Sequence, residues 1–307
     1  MSEIVLQTKG LTKYYGGKLA VDHLDLQIPQ GSICGFLGRN GAGKTTAIKM
    51  LLGLLKPNAG SSKLLGCDSQ DLSPQVRQRI GYVSEGHHLI RWMTIGRLEK
   101  FQREFFPNQW DHKFFANMIE YFELSDRQKI KHLSNGQRAQ VSLALALAPN
   151  PELLIMDDPT LGLDAAIRRQ FLEGMIELIM KQGRTVLFSS HILADVERVA
   201  DRIAVIDKGV LRANCTLEQF QKSIKTVKLS FKQSPPVEVD IEGLMHCRRN
   251  ENQLELILVG SEDEKVKAWA DKAGADQVEI IGMNLEDQFI EFTAPKARKS
   301  FFRQEDN

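Results

Sequence analysis

The 307-residue chain is 42% hydrophobic and 26% charged, which is close to soluble globular averages and long enough for one large or two modest domains. Its net charge of +1 gives no reason to expect nucleic acid as a partner, and there is no opening apolar h-region or span of about 18 apolar residues to predict secretion or a membrane crossing. Cys34, Cys67, Cys215 and Cys247 stand far apart with no C-x-x-C pair, which argues against a disulfide scaffold or a zinc cluster and fits a reducing cytosol.

In chain order, residues 3–8 and 19–28 read as strands, the second from its alternation between Val21 and Ile28. "GSICGFLG", 31–38, is a short apolar run suited to a buried strand, and "KTTAIKMLLGLL", 44–55, has helical spacing that stops near Lys56-Pro57. Amphipathic helices are expected over 94–106 and 111–124, then a helix over 134–148 halted by Pro149-Asn150-Pro151. Strand "LLIMD" follows, then helix 165–181, strand 185–190, helix 192–199 and strand 202–207.

Strands alternating with helices predict an α/β fold with a mainly parallel sheet over residues 1–212, carrying a helical insertion at about 90–145. Residues 213–307 change character. "TVKLSF", "LELILVG" and "QVEIIGM" read as strands, and "EDEKVKAWADKAG" and "LEDQFIEFT" as helices, predicting a small α+β domain whose last twelve residues are frayed. The first part carries 27 Lys/Arg against 22 Asp/Glu and the second 13 against 17. That balance is equally open to a phosphate-holding front part and to ordinary scatter.

"GRNGAGKTT", Gly38 to Thr46, matches G-x-x-x-x-G-K-[ST] and lies between a predicted strand and a predicted helix. Such glycines let the backbone turn tightly and aim N–H groups at phosphate oxygens, and the helix N-terminus adds a favourable dipole. The segment predicts nucleoside triphosphate binding by Gly38, Asn40, Gly41, Ala42, Gly43, Lys44, Thr45 and Thr46, with Lys44 at the β/γ-phosphates and Thr45 on Mg²⁺. "PELLIMDDPTLGLD", 151–164, is a buried strand running into two carboxylates, Asp157 and Asp158, a common way to place a carboxylate over a nucleotide.

A phosphate loop alone does not name a function. "LSNGQ", Leu133 to Gln137, resembles the signature of ABC-type ATPases, usually LSGGQ. Other marks of that family fall in order: Tyr15 in "KYYGG", Glu85 in "IGYVSE", Asp157-Asp158, "LGLD" at 161–164 and His191 in "FSSHI". The resemblance covers about residues 4–211 and implies a P-loop NTPase of ABC type. It implies Tyr15 stacking on adenine (with Tyr14 as the alternative), Asp157 holding Mg²⁺ through water, Asp158 as general base, and His191 at the γ-phosphate. Glu85 takes the place of a Mg²⁺-ligating Gln. Ser134, Gly136 and Gln137 are implied to meet ATP held by a second subunit, with Asp164 shaping that contact. Ser134 and Asp164 are also expected simply as helix N-caps.

One phosphate loop and one signature imply a head-to-tail dimer closed by two ATPs. One uninterrupted cassette without a coiled coil favours the energy subunit of a transporter, at the inner face of the cell membrane through a separately encoded polytopic permease. "NLEDQFIEFT" resembles the C-terminal extension of drug and antibiotic-peptide exporters. The alternatives are an ATP switch with little hydrolysis and a soluble ABC ATPase without a transport role. Residues 85–101, with exposed-looking His87, His88, Arg91 and Trp92, are implied to receive the membrane partner.

The chain departs from the family pattern at Asn135, where glycine is usual, at Glu85, where Gln is commonest, and at Asp158, where Glu is normal. An Asn tolerates left-handed backbone angles. The short Asp withdraws its carboxylate by about 1–1.5 Å, a displacement of the order that can slow a reaction by about 10²-fold.

Overall fold

The computed structural model describes residues 3–180 and 183–293, and the chain divides into two compact units, Met1–Cys215 and Thr216–Asn307. In the first unit, strands Ile33–Leu37, Leu153–Met156 and Thr185–Ser190 are buried at every residue. Runs without alternation suit a sheet covered on both faces, the environment of parallel strands. These three are central in a six-stranded sheet ordered Val210–Thr216, Arg202–Asp207, Ile33–Leu37, Thr185–Ser190, Leu153–Met156, Ile80–Val83. From Arg202–Asp207 to Ile80–Val83 every neighbouring pair is parallel. Their carboxyl ends therefore share one edge, where ligands of open α/β sheets bind. Gly38, Asp157 and His191 each follow directly on a strand end at that edge, and Glu85 follows two residues after Val83.

A second, antiparallel sheet is ordered Lys18–Leu24, Ile4–Tyr15, Ala59–Leu64, Cys67–Asp68, with Gln27–Pro29 also paired to Ile4–Tyr15. One core joins Leu6, Leu24 and Leu64 of this sheet, Phe36, Ile155 and Leu187 of the parallel sheet, and Ile48 and Met50 of helix Lys44–Leu51. Fully burying each such side chain is worth about 1.5–3 kcal/mol, so the helix that begins at Lys44 is fixed by its own apolar face. In the helical insertion, Ile95–Arg103 and His112–Tyr121 are capped by Thr94 and Asp111. They are clamped by Glu99, whose Oε1 accepts from Trp110 Nε1 at 3.0 Å and meets His112 Nδ1 at 2.8 Å. Helix Asn135–Leu147 follows, with Ser134 and Gln137 forming a reciprocal capping box.

Several elements differ from the sequence expectation. The strand expected over 19–28 is broken into Lys18–Leu24 and Gln27–Pro29. The Thr8 hydroxyl donates to Leu24 O and accepts from Leu26 N, and Asp25 Oδ1 accepts from Gly10 N, so polar groups of the neighbouring strand replace ladder bonds at the bend. The first strand runs on to Tyr15. Helix 44–55 ends at Leu51, well before Pro57, because Gly53 takes φ 67° and Leu54 N turns back to Lys49 O. Helix 165–181 is Ala165–Met180, residue 181 lying outside the described residues. The expected change at 212/213 falls inside strand Val210–Thr216.

The second unit is a four-stranded antiparallel sheet ordered Leu244–Asn250, Gln253–Val259, Ile224–Ser230, Gln277–Gly282. Val227, Leu229, Leu254 and Leu256 pack with Val266 and Ala270 of helix Asp263–Lys272. Helices Leu217–Ser223 and Leu285–Phe292 meet through Phe220 and Phe292, ring centroids 5.5 Å apart. Strand Leu244–Asn250 and helix Leu217–Ser223 were not expected from sequence, and the residues expected to be frayed, 296–307, lie outside the described residues. No helix among the described residues is long and apolar enough to cross a membrane.

Candidate active site

The phosphate loop turns where its glycines permit it. Gly41 and Gly43 take φ 79° and 109°, and a Cβ on Gly43 would lie 2.5 Å from Ala20 O. Gly38 is packed as closely, 2.6 Å from Ile206 O for the same added atom, so it seats the loop against the last parallel strand pair. Lys44 is buried and folds back over the loop, its Nζ donating to Gly38 O at 2.7 Å and Arg39 O at 3.3 Å. Burial pulls its pKa down, and the carboxylates of Asp158, Asp157 and Glu85 work against that. An ammonium held only by carbonyl oxygens is well placed to take a phosphate as a stronger partner.

The loop floors a cavity of about 380 Å³. Its walls bring together Tyr15, the loop from Asn40 to Thr46, and Glu85, Asp157 and Asp158. Tyr15 is the tyrosine that walls it; Tyr14, equally exposed, does not, its backbone N–H being held by Asn58 Oδ1. A crevice of about 420 Å³ around Asn150 and Arg184 contains none of the expected site residues.

The two carboxylates are almost wholly buried. Asp157 Oδ1 accepts from Ser189 Oγ at 2.8 Å, and Asp157 N donates to Val83 O at 2.9 Å. Asp158 takes a left-handed backbone, φ 43°, which Asp adopts more readily than most residues. Its N–H donates to Ser189 Oγ at 2.8 Å, and its Oδ2 lies 2.7 Å from His191 Nδ1. From this backbone the short carboxylate reaches the histidine. Asp157 Oδ2 and Asp158 Oδ1 have no hydrogen-bond partner.

Those orphaned oxygens, with the Thr45 hydroxyl and Glu85 on the same cavity, suit a hard cation. Among the described residues no three His, Cys, Asp or Glu side chains gather as a self-contained metal site. Mg²⁺ needs none, since it binds through one or two carboxylates together with water and phosphate oxygens.

Ser134, Gly136, Gln137 and Asp164 do not wall this cavity. Ser134 caps helix Asn135–Leu147, Gln137 Oε1 accepts from Ser134 N, and Asp164 Oδ1 accepts from Ala166 N and Ile167 N at the start of Ala165–Met180. A Cβ on Gly136 would lie 2.7 Å from Ile167 Cγ2, so this glycine lets the two helices approach. Asn135 is helical without a left-handed backbone, and its side chain accepts from Arg138 Nη2; the tolerance expected of it is not used.

His87 is a correction. It was expected on an exposed loop, yet it is buried, with φ 48° and neither ring nitrogen in a hydrogen bond. Burial lowers its pKa to about 4 against a rise from the Pro159 carbonyl, with Arg138 and His88 lowering it further. His88, Arg91 and Trp92 are exposed as expected. Ser189 is not among the site residues expected from sequence; strand Thr185–Ser190 carries hydroxyls at Thr185, Ser189 and Ser190, and nothing in the sequence singles out the second.

Residues 21–161 match the family model described as ABC transporter. Over 209 residues the chain is 36% identical to Nod factor export ATP-binding protein I of Cupriavidus metallidurans, covering 67% of this chain and 69% of that protein. It is 34% identical over 230 residues to the daunorubicin/doxorubicin resistance ATP-binding protein DrrA of Streptomyces peucetius, covering 71% and 67%. Against the bacitracin transport ATP-binding protein BcrA of Bacillus licheniformis it is 34% identical over 231 residues, covering 71% and 72%. Among solved structures, the ATP-binding cassette MJ0796, a dimer in a post-hydrolysis state with ADP and Pi, aligns with TM-score 0.62 and 25% identity over 69% of this chain and 98% of that one. The chain belongs to the ABC transporter family, among its ATP-binding subunits.

Proposed function

We propose that the chain hydrolyses ATP to drive an exporter, as a head-to-tail dimer joined to a separately encoded polytopic membrane subunit at the inner face of the cell membrane. The observation that carries the reading is the Asp158–His191 pair at 2.7 Å, in which Asp158 walls the same cavity as Lys44 and the phosphate loop. Three relatives named for Nod factor export, drug resistance and bacitracin transport support the direction.

Tyr15 stacks on adenine at one end of the cavity. The N–H groups from Asn40 to Thr46 and the Lys44 ammonium take the β- and γ-phosphates. Thr45 and Glu85 would hold Mg²⁺ directly and Asp157 through water, and the bound ion would neutralise charge on the phosphate oxygens. Asp158 Oδ1, the free oxygen, accepts the proton of the attacking water, while Oδ2 holds the His191 ring. His191, so oriented, meets the γ-phosphate with its other nitrogen. Ser134, Gly136, Gln137 and Asp164 lie away from this cavity, the separation required if a second chain supplies them to close the site.

Turnover of the purified chain with and without the membrane protein that co-purifies with it tests the proposal. Mg²⁺-dependent hydrolysis that rises with the membrane protein is expected. Co-purification with ribosomes in place of membranes would overturn it.

A further inference from the structure

Two adjacent carboxylates at the end of a buried strand repel each other, so their directions must be set by neighbouring donors. Here one hydroxyl reaches both. Ser189 is fully buried in strand Thr185–Ser190, and its Oγ lies 2.8 Å from Asp157 Oδ1 and 2.8 Å from Asp158 N. The polarity of the pair of bonds is fixed without sight of a hydrogen. A backbone N–H can only donate, so Ser189 accepts from Asp158, and its single proton is given to Asp157 Oδ1.

That commitment assigns the remaining oxygens. With Oδ1 occupied, Asp157 is left with Oδ2 unpartnered. With its N–H held, Asp158 is kept in the left-handed turn from which Oδ2 meets His191 and Oδ1 stays free. The neighbouring serine provides the contrast. Ser190, also buried, spends its hydroxyl on Ile192, accepting from Ile192 N at 2.9 Å and donating to Ile192 O at 3.2 Å, and reaches neither acid.

We infer that Ser189 is a positioning residue for both acids: its one hydroxyl presents Asp157 Oδ2 to the cation and holds the Asp158 backbone in the turn that reaches His191. The inference rests on the roles proposed above for Asp157 and Asp158. Ser189 acts only through those residues and belongs to the outer partners that orient metal-holding carboxylates, whose loss typically weakens metal affinity or activity about 10–100-fold.

The test is equilibrium binding of a fluorescent N-methylanthraniloyl ATP to the full chain, in EDTA and across a Mg²⁺ titration, with melting temperature followed in parallel. In EDTA, Ser189→Ala is expected to bind as the wild type does. With Mg²⁺, its half-saturating concentration should rise about 10–100-fold. Ser189→Thr, which keeps the hydroxyl, should restore most of the loss, and Ser190→Ala should keep the wild-type Mg²⁺ dependence. Should Ser189→Ala fail to fold, Ser189→Cys keeps the shape with a weaker donor and should shift the titration in the same direction. An unchanged Mg²⁺ titration in folded Ser189→Ala or Ser189→Cys, or equal losses with and without Mg²⁺, would overturn the inference and leave Ser189 a purely structural bond. A wild type indifferent to Mg²⁺ would instead remove the proposed role of Asp157, and the inference with it.

Discussion

Replacing His87 with Phe keeps an aromatic ring in a buried position and removes its titration. The folded chain holds His87 near 4 against an ordinary value of 6.5, so the native state keeps this ring neutral where the unfolded chain protonates it. The unfolded state then binds more protons between those values. The stability contribution is complete above about 6.5 and is lost as pH falls toward about 4. Taking one pKa unit as 1.36 kcal/mol, the linkage relation gives a loss of about 2 kcal/mol between pH 8 and pH 5 from this residue alone. Burial is the main cause, and Arg138 and His88 add to it. Urea unfolding of wild type and His87→Phe at the two pH values isolates the effect, because the other histidines cancel in the double difference. The variant should lose about 2 kcal/mol less than wild type over that interval. Equal losses would mean that His87 is hydrated in solution and that the packing described around it is wrong.

Four other substitutions probe separate parts of the account. Gly136→Ala pushes a methyl to 2.7 Å from Ile167 Cγ2, and thermal melting should report an overpacking loss of about 1–3 kcal/mol. Tyr15→Ala should weaken nucleotide binding by about 1–3 kcal/mol, the range for base–aromatic stacking, while Tyr14→Ala leaves it near wild type. Equal effects in the two variants would refute the placement of the base. Asp158→Glu, although it restores the family's usual residue, should lower ATP turnover about 10–100-fold, because a longer side chain on a left-handed backbone displaces the carboxylate from His191. Faster turnover in that variant would contradict this displacement.

Much of the site is legible in sequence because it is local. The phosphate loop needs glycines at fixed offsets between a strand and a helix, and buried strand 153–156 announces itself as an apolar run ending in acids. What escaped depends on groups distant in sequence. Nothing in "EGHHLI" says that the chain brings Pro159 and Arg138 within electrostatic reach of His87, so the polar context suggests exposure. The break in strand 19–28 comes from the Thr8 hydroxyl, sixteen positions before its partner Leu24. The role of Ser189 depends on two strands adjoining in space, with its acids thirty-two and thirty-one positions away. Helix Leu217–Ser223 is a different case, since T-x-x-Q at Thr216 and Gln219 was a readable capping box.

The short carboxylate of Asp158 is proposed as the base of an ATPase. ATP turnover by wild type and Asp158→Asn, with ATP-dependent dimer formation followed in the same samples, tests it most directly, because the amide keeps the size and removes the base. Wild type is expected to turn over and the variant to accumulate as an ATP-bound dimer. If both dimerise on ATP and neither hydrolyses it, even with the membrane partner present, Asp158 is only a turn-former and ATP acts as a switch.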